Sequence, residues 1–268
     1  MKNNYAIIKY PRTQHIEGSR LQTGDEDLSQ LPFEDFLNCR LVIEEKIDGA
    51  NSAVSFDPNG NLLLQSRGHY LTGGYREKHY NLFKQWAGIH KDALFDALSA
   101  RYVMYGEWMH AKHSIYYDAL PHYFMEFDIL DRETDRFLDT ASRREILKGL
   151  PVCSVPVLAE GVFKKKEDVL KYLSDSRFIT GNHLQNLRAA AEKCGQDAEK
   201  ILRETDSAMT MEGLYLKIEE NGEVVKRAKF VRASFLQTVE QSGSHWLERP
   251  IIPNGITRTI DELFMPEL

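Results

Sequence analysis

Two strand-type runs in the last third of the chain restrict its fold most. Met211–Ile218 and Val224–Val231 are joined through Glu220-Asn221-Gly222-Glu223. An Asn-Gly pair between two such runs specifies a tight hairpin, because both central residues of the turn need positive φ. A lone hairpin is marginal in water, so this ribbon needs further strands or helices to cover it.

The rest of the chain offers both. Leu41-Val42-Ile43 is an apolar strand-type run, and Lys46-Ile47-Asp48-Gly49 is a turn signalled by Asp-Gly. Ala53–Phe56 and Asn61–Ser66 flank the turn cluster Asp57-Pro58-Asn59-Gly60, so 41–66 reads as a β-meander. Tyr102–Met109 and His122–Leu130 read as strands rich in aromatic residues. Leu82, Phe83, Trp86, Leu94, Phe95 and Leu98 recur at helical spacing, which predicts amphipathic helix over 79–100 with a break near Gly88. Ser142 and Glu145 have capping-box spacing and open a short helix to Leu150. Residues 164–205 are polar and helical, with Leu184, Leu187 and Ala191 on one stripe. The expected class is α+β, antiparallel sheets with flanking helices. No repeat or Pro/Gly/Ser linker divides the chain. Residues 1–268 therefore read as one domain, with a helical insertion at about 164–205 and an irregular tail at 233–268 carrying Pro250, Pro253 and Pro266.

Composition excludes several classes. With 42% hydrophobic and 28% charged residues, the chain is globular rather than disordered. No apolar run reaches the ~18 residues of a membrane span, and Met1–Lys9 lacks the apolar core of a secretion signal. No membrane partner is expected. Cys39, Cys153 and Cys194 are far apart and outside any C-x-x-C pair, so neither a zinc site nor a disulfide framework is indicated. A reducing cytoplasm is the simplest compartment. The net charge of -6 argues against a surface basic all over, but a local basic groove is enough for phosphate contacts. Asp25-Glu26-Asp27 and Glu34-Asp35 read as solvated surface. Pro11–Arg20 is polar and yields no role; a surface loop and a cap over a pocket both fit.

Familiar chemistries are missing. There is no G-x-x-x-x-G-K-[ST], no H-E-x-x-H and no G-x-S-x-G. Gly73-Gly74 is too short a pattern for a phosphate cradle. His110 and His113 are more simply ordinary histidines than metal ligands. The informative segment is Glu44-Glu45-Lys46-Ile47-Asp48-Gly49-Ala50-Asn51. A lysine closing a strand beside a carboxylate and a glycine turn can act as a nucleophile, once its ammonium, ordinarily of pKa about 10.4, is acidified by cations or a metal. Alone, this pattern reads more simply as a surface lysine in a turn. It is followed in order by Ser66-Arg67-Gly68, Tyr105-Gly106-Glu107-Trp108, Phe127-Asp128, Glu212-Gly213 with Lys217, and Lys226-Arg227-Ala228-Lys229 with Arg232.

In this order the motifs resemble the covalent nucleotidyltransferase superfamily of ATP-dependent ligases and capping enzymes. They are most similar to its RNA-ligase branch, of the phage T4 RNA ligase 2 type. The likeness runs from Lys46 to Arg232, about 70% of the chain. It implies an ATP-grasp-like nucleotidyltransferase domain of the ligase and capping-enzyme type. It also implies an ATP-dependent RNA ligase, in which Lys46 attacks the α-phosphorus of ATP, AMP passes to an RNA 5′-phosphate, and a 3′-hydroxyl displaces it. By the resemblance, Lys229 with Arg227 would neutralise the α-phosphate and lower the pKa of Lys46. Glu212 would hold hydrated Mg²⁺ (or Mn²⁺), and Asp48 would orient Lys46 or a metal-bound water. Phe127 would stack on adenine, Glu107 would accept from the ribose, Asn51 and Arg67 would touch phosphate or ribose, and the backbone beside Glu45 would read the adenine edge. The implied partners are nicked or broken RNA ends and an end-healing kinase or phosphatase, in RNA repair.

Two departures stand out. Arg227-x-Lys229 replaces the usual Lys-x-Lys, and the residues after Arg232 are too few for the OB-fold of DNA ligases and capping enzymes. The missing OB-fold disfavours a DNA ligase or GTP-using capping enzyme. An adenylated RNA-end-binding module that seals poorly alone is the other alternative.

Overall fold

The computed structural model describes residues 6–21, 25, 27–235 and 250–265. The late hairpin forms as its sequence predicts. Strands β9 (Gly213–Glu220) and β10 (Glu223–Val231) pair antiparallel, and Asn221 and Gly222 turn at φ 53° and 86°. β9 also pairs with β1 (Arg40–Lys46), and β1 with β8 (Val157–Val162), giving a four-stranded antiparallel sheet in the order β10-β9-β1-β8. A second sheet runs β3 (Leu62–Ser66), β2 (Ala50–Phe56), β4 (Tyr102–Trp108), β5 (Phe124–Asp131), β6 (Arg136–Phe137), with β7 (Cys153–Ser154) parallel on β5.

The expected meander over 41–66 is therefore split. β1 belongs to the first sheet, β2 and β3 to the second, and Ile47–Gly49 crosses between them. An apolar run shows that a strand exists but not which strand it pairs with. The crossing is tight: a Cβ at Gly49 would lie 3.2 Å from the Trp108 carbonyl oxygen and, at 2.4 Å from Met109 Sδ, would push that side chain aside.

Three helical expectations shift. The 79–100 segment is a 3₁₀ turn over Tyr75–Tyr80 followed by α1 (Asn81–Ile89) and α2 (Lys91–Leu98), broken at His90 rather than Gly88. Helix α3 (Thr140–Ile146) is capped by Asp139, whose carboxylate accepts the Ser142 amide at 2.8 Å, so Ser142 lies inside the first turn and is not the cap. Residues 164–205 form three short helices, α4 (Lys166–Leu170), α5 (His183–Lys193) and α6 (Ala198–Arg203). Leu187 and Ala191 of α5 pack on Ala198 and Ile201 of α6 with Tyr116 and Ile252; Leu184 is only partly buried. In the tail, Pro253 bridges Ala111 and Ile256 bridges Leu120; residues 236–249 and 266–268 lie outside the described residues. The three cysteines are free, and among the described residues no helix is long and apolar enough to cross a membrane.

Strand alternation sorts the side chains. On the first sheet Leu41, Ile43, Leu214, Leu216, Ala228 and Phe230 face outward onto Ile16, Phe33 and Phe36. On the second, Val54, Phe56, Met104, Trp108 and Phe124 face outward onto Phe83, Trp86, Leu94 and Leu98 of α1 and α2. The opposite faces meet each other, and there the contact is ionic. Lys217 Nζ lies 2.7 Å from Glu44, 3.0 Å from Asp128 and donates to the Phe127 carbonyl at 2.6 Å. Arg143 of α3 bridges Glu44 at 2.6 Å and Glu126 at 2.9 Å. Arg227 lies 3.4 Å from Asp128 and donates to the Tyr10 hydroxyl at 2.9 Å. The carboxylates Glu44, Glu126 and Asp128 thus balance the cations Lys217, Arg143 and Arg227.

Removing one member of a buried ion network leaves its partners charged and unsatisfied, at a cost of about 3–5 kcal/mol. Arg143→Met should lose about that much unfolding free energy in urea titrations, by the same reasoning. Arg143→Lys, whose single ammonium cannot fork between Glu44 and Glu126, should recover only part of it.

Candidate active site

A cleft of about 690 Å³, open to solvent, lies between the sheets. Glu45, Lys46 and Lys229 of the first sheet line it, with Asn51, Arg67, Glu107 and Phe127 from the second and Tyr10, Pro11 and Thr13 from the N-terminal segment. Seven of the ten residues singled out in the sequence are therefore brought together. Asp48, Arg227 and Glu212 are not on its lining.

Lys46 ends β1 directly opposite Gly213 of β9, which places Glu212 beside it. Lys46 Nζ donates to Glu212 Oε2 at 2.7 Å. Gly213 makes this approach possible, since a Cβ there would meet the Phe230 carbonyl oxygen at 1.8 Å. Burial pushes the Lys46 pKa down, but Glu212, Glu107 and Asp48 outweigh it and hold it above the ordinary lysine value. The net shift at Lys46 is therefore upward, not the lowering expected from Lys229, because carboxylates dominate its surroundings. Burial pushes the Glu212 carboxyl up, against the pull of Lys46.

Asp48 does not orient the Lys46 ammonium by a hydrogen bond. Its Oδ2 accepts the Ser114 and Ile115 amides at 2.7 and 2.9 Å, and its Oδ1 lies 3.8 Å from His113 Nδ1. It ties the turn to that loop and acts on Lys46 through charge alone. Arg227 shares the inner face with Lys229, as alternation predicts, but lies two residues earlier in β10. There it pairs with Asp128 and stacks 3.8 Å over the Phe137 ring, so its charge belongs to the network between the sheets. Lys226 points the other way, to Asp35 at 2.5 Å.

Phe127 reaches the cleft through a β-bulge. Tyr105 pairs with Asp128 and Gly106 with Glu126, so Phe127 is the extra residue. The bulge re-aims its ring to the side of Asp128, where it meets Tyr10 edge-on at 5.0 Å. Glu107 pairs across the sheet with Asn51. Its Oε2 is buried without a hydrogen-bond partner, and burial, partly offset by Lys46, pushes its carboxyl up to about 8. An unpaired acceptor facing a cleft suits a ligand hydroxyl or a cation. The Glu45 amide donates to the Pro156 carbonyl at 3.0 Å, so that amide does not read a base edge. The Glu45 carboxyl is buried, which pushes it up to about 7.

The cation-binding expectation for Glu212 fits its surroundings. Among the described residues no three His, Cys, Asp or Glu side chains group as a ligand set. Hydrated Mg²⁺ needs only one or two protein carboxylates and completes its shell with water and phosphate. Glu212 and Glu107 both act on Lys46, and Glu212 would offer such an oxygen.

The N-terminal segment, for which the sequence left a surface loop and a cap over a pocket open, forms a wall of the cleft. Residues 14–16 run along β10: the Lys229 amide donates to the Gln14 carbonyl at 3.0 Å, and the Ile16 amide to the Lys229 carbonyl at 2.9 Å. Asp25, read as solvated, is instead buried, with the Lys229 ammonium donating to it. Burial alone would raise its carboxyl, but Lys229, Arg12 and His15 hold it down to about 2. Asp27 is exposed, as expected, and Glu26 lies outside the described residues. No spacing in Pro11–Arg20 signals this wall.

Glu107 gives the site a pH signature. An unfolded glutamate ionises near 4.5 and the folded Glu107 near 8. Between those values the folded protein keeps a proton that the unfolded chain has lost, so Glu107 makes stability fall as pH rises through this window. Glu107→Gln has no such proton and should flatten that fall. Melting temperatures of both proteins across this range check it, and parallel curves would contradict it.

A family model for RNA ligases matches residues 40–231. The similar solved structures include variants of an RNA ligase from Naegleria gruberi. One, with AMP and Mn, has a TM-score of 0.54 at 14% identity, covering 86% of this chain and 57% of that one. Another, without ligand, has 0.53 at 15%, covering 88% and 58%. A third, with ATP and Mn, has 0.52 at 14%, covering 86% and 58%. At such identity the likeness is one of fold, and the chain spans less than two thirds of the length of those ligases. A search of the curated proteins finds no match. The family match begins at Arg40, the first residue of β1, and ends at Val231, the last of β10, taking in both sheets and the turn at Lys46; the chain belongs to the RNA ligase family.

Proposed function

We propose that the chain is an ATP-dependent RNA ligase of RNA repair, joining 5′-phosphate and 3′-hydroxyl ends through a lysyl-AMP and then an RNA-adenylate. The observation that carries this reading is the partly buried pair of Lys46 and Glu212 at a cleft that also presents Lys229 and the unpaired Glu107 Oε2. The ATP, AMP and Mn bound by the Naegleria ligase variants suggest the ligand class.

In this reading adenine stacks on Phe127, and Glu107 Oε2 accepts from a ribose hydroxyl. Asn51 and Arg67 contact ribose or phosphate. When bound, Mg²⁺ or Mn²⁺ supplies positive charge to the phosphates, with Glu212 as its protein oxygen donor. Lys46, no longer paired with Glu212, gives up its proton to solvent water and attacks the α-phosphorus, the N–P bond forming as the bond to pyrophosphate breaks. Lys229 takes the negative charge that builds on the α-phosphate. AMP then passes to an RNA 5′-phosphate, and a 3′-hydroxyl attacks that end and releases AMP. All three steps are phosphoryl transfers, so the protein's work is alignment and charge compensation. A kinase or phosphatase that prepares the ends is the partner this chemistry implies.

With ATP and Mg²⁺ the protein should seal an RNA nick bearing 5′-phosphate and 3′-hydroxyl, and GTP should not replace ATP. Glu212→Ala and Glu212→Gln should both lose roughly several hundredfold in single-turnover adenylation, since the amide keeps the shape but not the charge. Absence of sealing on nicked and pre-adenylated RNA alike would refute the ligase reading. Full activity of both variants at limiting Mg²⁺ would refute the role given to Glu212.

A further inference from the structure

Lys229 faces the cleft with its charge already engaged. Its ammonium donates to Asp25 Oδ2, and both side chains are only 12% exposed. The same carboxylate has two further partners, Arg12 Nη2 at 3.1 Å and His15 Nε2 at 3.2 Å. His15 is itself fixed, its Nδ1 sharing a hydrogen bond with Ser19 Oγ at 2.7 Å, and its backbone lies beside that of Lys229. The N-terminal segment thus brings a carboxylate to the position where an anionic ligand of Lys229 would bind.

We propose that Asp25 is an anion placeholder, which holds Lys229 in position and admits only those anions able to displace it. This rests on the reading above only in taking Lys229 as a phosphate-binding cation. When Lys229 turns to a phosphate, Asp25 keeps Arg12 and His15, so the exchange leaves no orphaned buried charge. A compact anion such as sulfate gains one contact at Lys229 and must break a desolvated ion pair to make it. A polyphosphate carries more charge, extends further along the cleft and can engage Lys46 as well. Asp25 therefore acts as selectivity by competition, penalising the wrong ligand rather than contacting the right one. The arrangement parallels that at Lys46, which is capped by Glu212.

The test uses inorganic sulfate and pyrophosphate on the full chain, so it reads out whether or not the chain seals RNA. Wild type should bind pyrophosphate and not sulfate at millimolar concentration; equal binding of the two would overturn the proposal without any variant. Asp25→Asn keeps the shape and removes the charge, and should raise sulfate affinity about tenfold, while Asp25→Glu stays near wild type. In adenylation, Asp25→Asn should lower the KM for ATP, because the competitor is lost rather than the cation. Unchanged or weaker sulfate binding in an Asp25→Asn protein that melts like wild type would overturn the proposal. A purely structural Asp25 would change the melting temperature and leave the sulfate-to-pyrophosphate ratio where it was.

Discussion

Glu44, Asp128 and Lys217 meet where the two sheets face each other, and each is fully buried. An apolar contact there would hold the sheets as well but would not fix their register, because apolar surfaces can slide. Paired charges with named partners allow one arrangement. The position of the cleft follows from it: Lys217 and Arg143 both grip the Phe127 carbonyl, which sets the bulge that turns the Phe127 ring toward the cleft. Arg227 and Asp128 together hold Tyr10, whose hydroxyl also meets that of Tyr215 at 2.8 Å. Floor and wall of the cleft are thus set from the same group of charges.

The site above this network is neutralised cation by cation. Lys46 is held by Glu212 and Lys229 by Asp25. A pair of bare ammonium groups in one partly buried cleft would repel each other and attract any anion in solution. Capping both lets the site be built in advance without either penalty. In the proposed reading, a ligand that engages both lysines has to take the places of both carboxylates.

Much of this was legible in the sequence, and the misses share one physical cause. The Asn221-Gly222 hairpin, the strand at Tyr102 and the order of the motif residues depend on local geometry, and local geometry is written in spacing. Lys217, Glu44 and Arg143 look like the polar sides of a half-exposed strand and helix. Alternation says that a face is polar; it does not say whether that face meets water or another polar face. For the same reason Asp25 reads as solvated, Arg227 reads as a second phosphate cation, and β1 reads as part of a meander with β2. In each case the deciding partner is far away in the chain: Lys229 for Asp25, Asp128 for Arg227, Gly213 for Lys46.

The central claim is that Lys46 is the residue to which the nucleotide becomes attached. Peptide mapping by mass spectrometry, after incubation with ATP and Mg²⁺ and acid-free digestion, measures this most directly. The account predicts one AMP on the peptide containing Lys46, lost on mild acid treatment as a phosphoramidate should be, and no adduct in Lys46→Arg. An AMP on any other residue, or an adduct that survives in Lys46→Arg, would contradict it.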